Sequence, residues 1–204
     1  MAHPSGVVFD LGGVVFESPL PRIASFEVGC GLEPQTIAAV IGAEGPGGAW
    51  SRFERGESTR REFLTEFEEE CRQAGVTVDV ASLLAEIESA LRPRPAMVDA
   101  IDRLRNDGVR VAALTNNWSS MSDLPLAAHF DVFVESVTEG VRKPEPEIYE
   151  RTLDRLGLGP EETAMLDDLG ENLKTARSLG MVTFKVTDEP SALSWLQETF
   201  GWIR

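Results

Sequence analysis

Three short apolar stretches of the chain each run directly into a polar residue that could take part in catalysis. They are residues 7–9 before Asp10, residues 111–114 before Thr115, and residues 164–166 before Asp167 and Asp168. Buried parallel strands read as continuous apolar runs, and open α/β sheets bind their ligands at the carboxyl ends of such strands. The pattern therefore predicts that one site is assembled from three distant segments.

The sequence between the first predicted strand, residues 6–16, and residue 91 has the periodicity of helices. Five apolar segments alternate there with breaks that contain glycine and proline. Their ranges are 21–29, 34–41, 50–55, 59–74 and 80–91. Thr59 and Glu62 have the spacing of a capping box at the start of the fourth segment. We predict a small helical cap over residues 18–91, inserted after the first strand.

Beyond residue 92 the pattern alternates between strands and helices. The stretch Arg92-Pro93-Arg94-Pro95 predicts a stiff linker, because each proline keeps the preceding residue out of the α region. Strands are expected over 109–114, 131–135, 163–167 and 181–186, and helices over 95–107, 123–129, 145–157, 170–179 and 190–200. Such alternation is typical of right-handed βαβ units. The predicted fold class is α/β: a Rossmann-like parallel sheet core of residues 1–17 and 92–204, with helices on both faces and the inserted cap.

Composition and charge narrow the classes of function. The chain has 204 residues, of which 42% are hydrophobic, and a formal net charge of −15. A strongly negative protein repels nucleic acid, and no apolar run reaches the roughly 20 residues that a membrane-spanning helix needs. We therefore expect a soluble, cytoplasmic protein with no nucleic-acid or membrane partner. An anionic substrate would need local cations or a bound metal.

Neither the cysteines nor the histidines form a metal or redox motif. Cys30 and Cys71 fall in predicted helices, where a small buried thiol is expected. His3 lies near the amino terminus and His129 ends a short apolar segment, and we expect neither to bind a metal ion. Zinc is therefore not an expected cofactor.

The acidic residues at the predicted strand ends have a catalytic and a structural interpretation. Asp10 could attack phosphorus and form an acyl phosphate, or it could start a turn. Asp167 and Asp168 would bring further carboxylates beside Asp10, an arrangement that is costly without a cation. Mg²⁺ binds carboxylates and bridges to phosphate oxygens, whereas the alternative is a solvated acidic turn before the next helix.

A hydroxyl, loop amides and one lysine complete the candidate site. Thr115, Asn116 and Asn117 follow the second strand and could donate hydrogen bonds to phosphate oxygens. Lys143 could place a positive charge between the carboxylates and the phosphate. Taken singly, Thr115 could be a turn residue and Lys143 a surface cation. Their combination with the acidic residues favours a phosphate site.

Four segments, in order, resemble the motifs of the haloacid dehalogenase-like (HAD) hydrolase superfamily. They are residues 9–15, residues 114–117, residues 142–149, and residues 166–168 with Asn172 and Ala176. From Ala112 to about Gly201 the chain is especially similar to the amino-terminal phosphatase domain of soluble epoxide hydrolases and to relatives fused to acyl-CoA dehydrogenases. The predicted helical segment resembles the small cap that follows the first motif in this superfamily.

The resemblance implies a role for each matching residue. Asp10 would be the nucleophile, and Thr115 and Lys143 would bind the transferring phosphoryl group. The implied ligands of Mg²⁺ are Asp10, Asp167 and the backbone carbonyl of Gly12, with Asp168 as a nearby or water-mediated ligand. The implied activity is the Mg²⁺-dependent hydrolysis of a small phosphorylated metabolite through an aspartyl-phosphate.

Gly12 departs from the usual phosphatase pattern of this superfamily, which has a second aspartate two positions after the nucleophile. In that scheme the second carboxyl group protonates the leaving oxygen and then activates water, and glycine can do neither. General acid–base catalysis contributes about 10²–10⁴-fold, so we expect a slow or selective phosphatase that favours good leaving groups. Similar sugar-1-phosphatase-like proteins also lack this aspartate. Glu17 could substitute for it, or could be an ordinary hinge residue.

Aromatic and basic residues near the cap could select the substrate. Trp50 and Phe53 could line an apolar pocket or form the core of the cap, and Arg52 or Arg55 could attract an anion. Trp118, beside the phosphate loop, could line the same pocket or be a buried structural indole. Both a monomer and a homodimer are open, because three aromatic residues of the last predicted helix fit either the core or a dimer surface: Trp195, Phe200 and Trp202.

Two other functions stay open. A haloacid dehalogenase-type hydrolase also uses an aspartate nucleophile, but it needs no metal. The Asp167-Asp168 pair therefore argues against it, whereas Gly12 permits it. A weakly catalytic protein that binds a phosphorylated metabolite is the other possibility, because the usual acid–base group is missing.

Overall fold

The computed structural model describes residues 3–201 and contains a five-stranded parallel sheet. The strands are β1 (Gly6–Phe9), β2 (Arg110–Thr115), β3 (Val132–Glu135), β4 (Thr163–Asp167) and β5 (Val182–Lys185). Their order across the sheet is β3-β2-β1-β4-β5, and every neighbouring pair is parallel. The predicted α/β fold with a parallel sheet is confirmed.

Five helices follow β1 before the chain returns to the sheet. They are α1 (Leu20–Gly29), α2 (Thr36–Glu44), α3 (Ala49–Glu54), α4 (Arg60–Gln73) and α5 (Val80–Ser89). The predicted capping box is present, because Thr59 and Glu62 exchange hydrogen bonds at the start of α4. These helices surround an apolar cluster in which the rings of Phe53 and Phe63 stack with centroids 4.2 Å apart. The inserted segment thus has a hydrophobic core of its own.

The remaining helices of the described chain lie on the sheet or beside it. They are α6 (Pro95–Asn106), α7 (Ser136–Glu139), α8 (Pro146–Leu156), α9 (Gly170–Ser178) and α10 (Glu189–Phe200). Side chains alternate between the two faces of a strand, so Val7 and Phe9 pack with α6 and α10, and Val8 packs with α8 and α9. Both faces of β1 are therefore buried. Within residues 3–201, no helix has the length and apolar character needed to cross a membrane.

The register of the sheet brings the carboxyl ends of its three central strands level. Phe9 pairs with Ala113 on β2 and with Leu166 on β4. One residue further on, the Asp10 N–H donates a hydrogen bond of 2.9 Å to the Leu166 carbonyl. Asp10 therefore lies between the ends of β2 and β4.

The first strand is shorter than the sequence predicts. β1 ends at Phe9, and Leu11–Val15 form a single π-helical turn where strand was expected as far as residue 16. Gly13 makes this turn possible, because its φ of 77° lies in the left-handed region, which costs glycine little. The turn holds the backbone that follows Asp10 close to the end of the strand.

Three further expectations need correction or lie outside the described residues. The helix expected over 123–129 is a 3₁₀ turn at Pro125–His129, and α7, whose four residues are too few to show a period, was not predicted. Cys30 is exposed at the end of α1, whereas Cys71 is buried as expected. Trp202 falls beyond the described range.

The two segments that join the cap helices to the sheet run side by side. Phe16 and Pro93 form an isolated antiparallel bridge, and the Glu17 N–H donates to the Arg92 carbonyl at 3.1 Å. The outgoing and returning chain are thus fastened together close to the turn after Asp10. The domain boundaries after residues 17 and 91 stay a prediction.

Candidate active site

Asp10 stands at the end of the central strand with little exposure to solvent. Its residue is 7% exposed, and its carboxylate accepts a hydrogen bond of 2.7 Å from the Leu11 N–H at the start of the turn. The carboxylate is thereby oriented by the backbone that follows it. The same oxygen, Oδ1, also contacts Lys143.

Lys143 links two of the predicted acidic residues. Its ammonium nitrogen lies 2.8 Å from an oxygen of Asp10 and 2.8 Å from an oxygen of Asp167, and all three side chains are nearly or fully buried. Burial alone would lower the pKa of Lys143, but the charges of the two carboxylates raise it above its ordinary value. The lysine therefore stays positively charged in this setting.

Asn116 fixes the backbone of the lysine. Its side-chain amide donates to the Lys143 carbonyl at 2.9 Å and accepts from the Lys143 N–H at 2.8 Å. The side chain of Asn116 therefore positions the lysine, and the expected contact of this residue with substrate stays a prediction. A phosphate contact from this residue would have to come from its main chain.

Asp167 and Asp168 are adjacent in sequence but differ in their surroundings. The Asp167 carboxylate accepts hydrogen bonds from the Leu169 N–H at 2.8 Å and from the Asn172 amide at 3.0 and 3.1 Å, in addition to its contact with Lys143. Asp168 is less buried and faces Gly13. Asn172 belongs to the fourth motif, and in the structure its amide orients the Asp167 carboxylate.

Three carboxylates converge on one point at the sheet edge. Asp10, Asp167 and Asp168 each offer an oxygen within 4.8 Å of the other two. Burial raises the pKa of Asp10 to about 8, against the opposing effect of Lys143. Burial likewise raises the pKa of Asp168 to about 6, with the charge of Asp167 acting in the same direction.

The donor set fits a magnesium ion. Three carboxylates face one ammonium group, so their ionised forms leave a net negative charge that a divalent cation would offset. Carboxylate oxygens are also the hard ligands that Mg²⁺ prefers. Among the described residues, Asp10, Asp167 and Asp168 could therefore hold the ion.

Two consecutive glycines follow the nucleophile candidate, and their surroundings differ. A Cβ atom on Gly12 would meet nothing closer than Pro19 Cδ at 4.0 Å, so the space beside it is open. A Cβ atom on Gly13 would collide with the Asp168 carboxylate, and the φ of Gly13 is already positive. Glycine is therefore required at position 13 by geometry, but at position 12 it is not.

The loop after β2 is braced by a buried glutamate that the sequence reasoning missed. Thr115 is buried at the end of β2, as predicted, two residues beyond Ala113, which pairs with Phe9. Glu135, at the end of β3, is 2% exposed and accepts hydrogen bonds from the Asn117 amide and the Ser120 hydroxyl, both at 2.7 Å. Residues 132–134 form an apolar run before Glu135, so the same strand-end pattern could have identified it.

Trp118 packs into the cap. Its ring stacks on Phe53 at 5.6 Å, meets the edge of Trp50 at 5.9 Å, and donates a hydrogen bond of 3.3 Å to Glu88. These contacts join a loop of the sheet domain to helices α3 and α5. The proposed pocket residues Trp50 and Phe53 likewise belong to the aromatic cluster of the cap.

The basic residues of the cap are paired with carboxylates. Arg52 contacts Glu66 at 2.8 Å, and Arg55 contacts Glu57 at 2.6 Å and Glu145 at 3.4 Å. Both guanidinium groups already contact carboxylates. This pairing does not favour the expectation that Arg52 or Arg55 attracts an anionic substrate.

A second ion pair crosses between the cap and the sheet domain. Arg142, next to the site lysine, contacts Glu54 at 2.6 Å. Burial raises the pKa of Glu54, and the charge of Arg142 opposes that effect.

The geometry and the motif order agree with a comparison to known families. The family model described as haloacid dehalogenase-like hydrolase matches residues 4–180, and the chain belongs to this family. Two relatives are of the kinds that the motifs resemble, an acyl-CoA dehydrogenase family protein and an epoxide hydrolase. Acyl-CoA dehydrogenase family member 10 of Mus musculus is 40% identical over 203 residues, which cover 96% of this chain and 19% of that protein. Bifunctional epoxide hydrolase 2 of Rattus norvegicus is 32% identical over 214 residues, which cover 95% of this chain and 38% of that protein.

The chain thus spans less than two-fifths of the length of either relative. Among solved structures, a HAD family enzyme from Bacteroides thetaiotaomicron in complex with magnesium and inorganic phosphate superposes with a TM-score of 0.63 at 25% identity. The match covers 92% of this chain and 98% of that one. The chain is a HAD-like hydrolase by sequence and by fold.

Proposed function

We propose that this chain is a Mg²⁺-dependent phosphatase that hydrolyses a small phosphorylated metabolite through an aspartyl-phosphate on Asp10. The observation that carries the proposal is the buried ammonium of Lys143, which lies 2.8 Å from Asp10 and from Asp167 with Asp168 beside them. Such a cluster supplies a nucleophile, a positive charge for a phosphate and oxygen ligands for a metal ion. The magnesium and phosphate bound by the Bacteroides enzyme support the same assignment.

In the proposed reaction, a carboxylate oxygen of Asp10 attacks phosphorus, and the bond from phosphorus to the ester oxygen breaks. The leaving oxygen takes a proton from water. A second water then attacks the aspartyl-phosphate, which releases phosphate and a proton and restores the Asp10 carboxylate. Lys143 and Thr115 would donate hydrogen bonds to the phosphoryl oxygens in both steps. Bound Mg²⁺ would offset the negative charge of those oxygens.

The hydrogen bonds around the two adjacent aspartates favour different roles for them. Both oxygens of Asp167 are already engaged by Lys143, Asn172 and a backbone N–H. Asp168 is less buried and has fewer such partners within the described chain. We therefore assign Asp168 as the direct metal ligand with Asp10 and the Gly12 carbonyl, and Asp167 as the residue that holds Lys143. This reverses the order that the resemblance implied.

Gly12 makes the proposed phosphatase dependent on its leaving group. No side chain at position 12 can deliver a proton, and Glu17 is exposed and joined to Arg92 through its backbone. Acyl, anomeric and aryl phosphates, which leave without much assistance, should therefore be better substrates than simple alkyl phosphates. The open space at Gly12 means that the missing carboxyl group can be restored by substitution without a clash.

The decisive experiment compares the wild type, Asp10→Asn and Gly12→Asp on a panel of these phosphate esters with and without Mg²⁺. We expect Mg²⁺-dependent phosphate release from the wild type, and none above background from Asp10→Asn. Gly12→Asp should raise the rate on alkyl phosphates by about 10²-fold or more, and that on acyl phosphates much less. No Mg²⁺-dependent release from any ester by any variant would contradict the proposal.

The two alternatives give distinct results in the same assays. Release of halide from 2-haloacids without metal would identify a dehalogenase, which the carboxylate cluster disfavours. Tight binding of vanadate without phosphate release, even by Gly12→Asp, would identify a phosphometabolite-binding protein. A cytoplasmic location and a monomeric or homodimeric state stay predictions, as does the absence of a nucleic-acid partner.

A further inference from the structure

Arg94 reaches from the returning linker to the turn that follows Asp10. It directly precedes helix α6 and is half-buried, whereas Arg92 on the same linker is exposed. The same linker also forms the Phe16–Pro93 bridge and the Glu17–Arg92 backbone hydrogen bond. A half-buried guanidinium needs hydrogen-bond acceptors that replace the water it has lost.

The partners of Arg94 are three successive backbone carbonyls. Its guanidinium donates to the Gly13 carbonyl at 3.1 Å and to the Val14 carbonyl at 3.3 Å, and its own backbone N–H donates to the Val15 carbonyl at 2.8 Å. These residues lie about 80 positions earlier in the chain. Hydrogen bonds from a charged donor are stronger than those between neutral groups. Arg94 therefore restrains the backbone of the turn at Gly13 and Val14.

The same turn carries the backbone of the metal site. Gly12 is in this turn, and its carbonyl is the third ligand in the proposed set. Gly13 is also in it, and its α-carbon lies against the Asp168 carboxylate. The positive charge of Arg94 also acts on Asp168 from nearby, and it acts on Asp188 as well. A shift of the turn would therefore move a carbonyl ligand and a carboxylate ligand together.

We propose that Arg94 is a positioning residue for the metal site, which sets the turn Leu11–Val15 so that the Gly12 carbonyl and Asp168 face one ion. The inference rests on the proposed function, since it concerns the ligands of that site. Arg94 touches neither substrate nor metal. It acts through the carbonyls that it holds, in the way that groups behind the ligands of other metal sites fix ligand geometry.

The test measures Mg²⁺ binding directly, by calorimetric titration of the purified protein with Mg²⁺ alone. Arg94→Met should raise the dissociation constant for Mg²⁺ by about tenfold or more. The side-chain hydrogen bonds of Arg94 to Gly13 and Val14 both come from Nη1. Arg94→Lys keeps the charge but replaces the planar guanidinium with a compact ammonium on a shorter side chain, and it should bind Mg²⁺ about threefold or more weakly. Arg92→Met removes the same type of side chain from an exposed position on the same linker, and it should match the wild type.

A second measurement separates positioning from general stability. Amide hydrogen exchange over residues 11–16 should accelerate in Arg94→Met while exchange in the centre of the sheet is unchanged. Turnover of an aryl phosphate should fall at limiting Mg²⁺ and return towards the wild-type kcat at saturating Mg²⁺. A merely structural role would lower the melting temperature without this dependence on Mg²⁺.

The outcomes are distinguishable. Wild-type Mg²⁺ affinity and unchanged exchange over residues 11–16 in Arg94→Met would overturn the role of Arg94 and leave the proposed function standing. A wild type that binds no Mg²⁺ would overturn both. If Arg94→Met does not fold, Arg94→Lys decides the question, because wild-type Mg²⁺ affinity in that variant contradicts the proposal.

Discussion

The sheet edge and the interior of the cap bury opposite kinds of side chain. At the edge, the ionisable side chains of Asp10, Lys143 and Asp167 are buried, and the Lys143 ammonium lies 2.8 Å from each carboxyl group. In the cap, Phe53 and Phe63 stack with ring planes 9° apart inside a cluster of hydrophobic side chains. The first arrangement buries ionisable side chains at the proposed reaction site. The second buries apolar surface, which stabilises the fold.

The comparison teaches that the two regions should fail differently. Loss of one member of the charged cluster leaves its partners unpaired in a buried setting, which damages both catalysis and stability. Loss of one ring from the cap leaves a cavity, which lowers the free energy of unfolding but leaves the charges at the sheet edge in place. Substitutions in each region can break or sharpen this distinction.

The largest effect is expected from Lys143→Met. Two buried carboxyl groups lose the cation that contacts both of them, so the free energy of unfolding should fall by about 3–5 kcal/mol. kcat/KM on an aryl phosphate should fall by about 10³-fold, because the phosphoryl oxygens lose a charged donor. Lys174→Met, on the exposed side of α9, is the matched control. Turnover close to that of the control would remove Lys143 from the proposed site.

Phe63→Ala should have a large effect on stability alone. The fully buried ring stacks on Phe53 and Phe67, and its loss should lower the free energy of unfolding by about 3–5 kcal/mol in denaturant titration. Mg²⁺ affinity should stay that of the wild type, because the proposed ligand set contains no residue of the cap. Phe63→Leu keeps most of the volume and should cost less than about 1.5 kcal/mol. Weaker Mg²⁺ binding by Phe63→Ala would show that the two regions are coupled.

An intermediate effect is expected from Gly13→Ala. The new methyl group collides with the Asp168 carboxylate, and the positive φ adds about 1 kcal/mol of strain. Mg²⁺ binding measured by calorimetry should weaken by about tenfold. Gly12→Ala adds the same methyl group one residue earlier into open space, and its Mg²⁺ affinity should change by less than about twofold. Equal behaviour of the two variants would contradict the assigned place of Asp168.

The smallest effect is expected from Glu88→Gln, where cap and sheet domain meet. The hydrogen bond from Arg60 is the main cause that holds the pKa of Glu88 below its ordinary value, and Trp118 adds to it. A lowered pKa stabilises the fold above the ordinary pKa of a glutamate and loses that contribution as the pH falls through the lowered value. The side chain is more than a third exposed, so solvent screening limits the contribution to below about 1 kcal/mol.

The measurement is the free energy of unfolding of Glu88→Gln and of the wild type at several pH values. The two proteins should differ near neutral pH and converge as the medium becomes more acidic than about pH 4. A difference that grows on acidification would have the wrong sign for a lowered pKa.

The strand ends were predictable from sequence because local pattern decides them. Apolar runs ending in Asp10, Thr115 and Asp167 gave the parallel sheet, and the edge where those residues meet follows from parallel pairing. The cap helices and the Thr59 capping box were predictable for the same reason, since their signals lie within one turn of helix.

Residues whose partners lie far away in the chain were not predictable. Asn116 binds the backbone of Lys143, and Arg94 binds carbonyls about 80 positions earlier, so neither contact leaves a local pattern. Val14 and Val15 continue the apolar run after Asp10 and so predict strand there, although the pair of glycines before them signals a turn. From the sequence, Trp118 fits a pocket wall and a buried structural indole equally well, because its contacts with Trp50 and Phe53 depend on how the cap packs.

The central position of β1 has an implication for how this hydrolase could change its substrate. The residue that would carry the phosphoryl group directly follows a strand that is paired on both sides, and its own N–H donates to Leu166 on β4. Its placement is consequently independent of the helices that would surround the rest of the metabolite. Substitutions in those helices that keep the Glu54–Arg142 ion pair and the contacts of Trp118 could therefore change specificity and leave the chemistry in place.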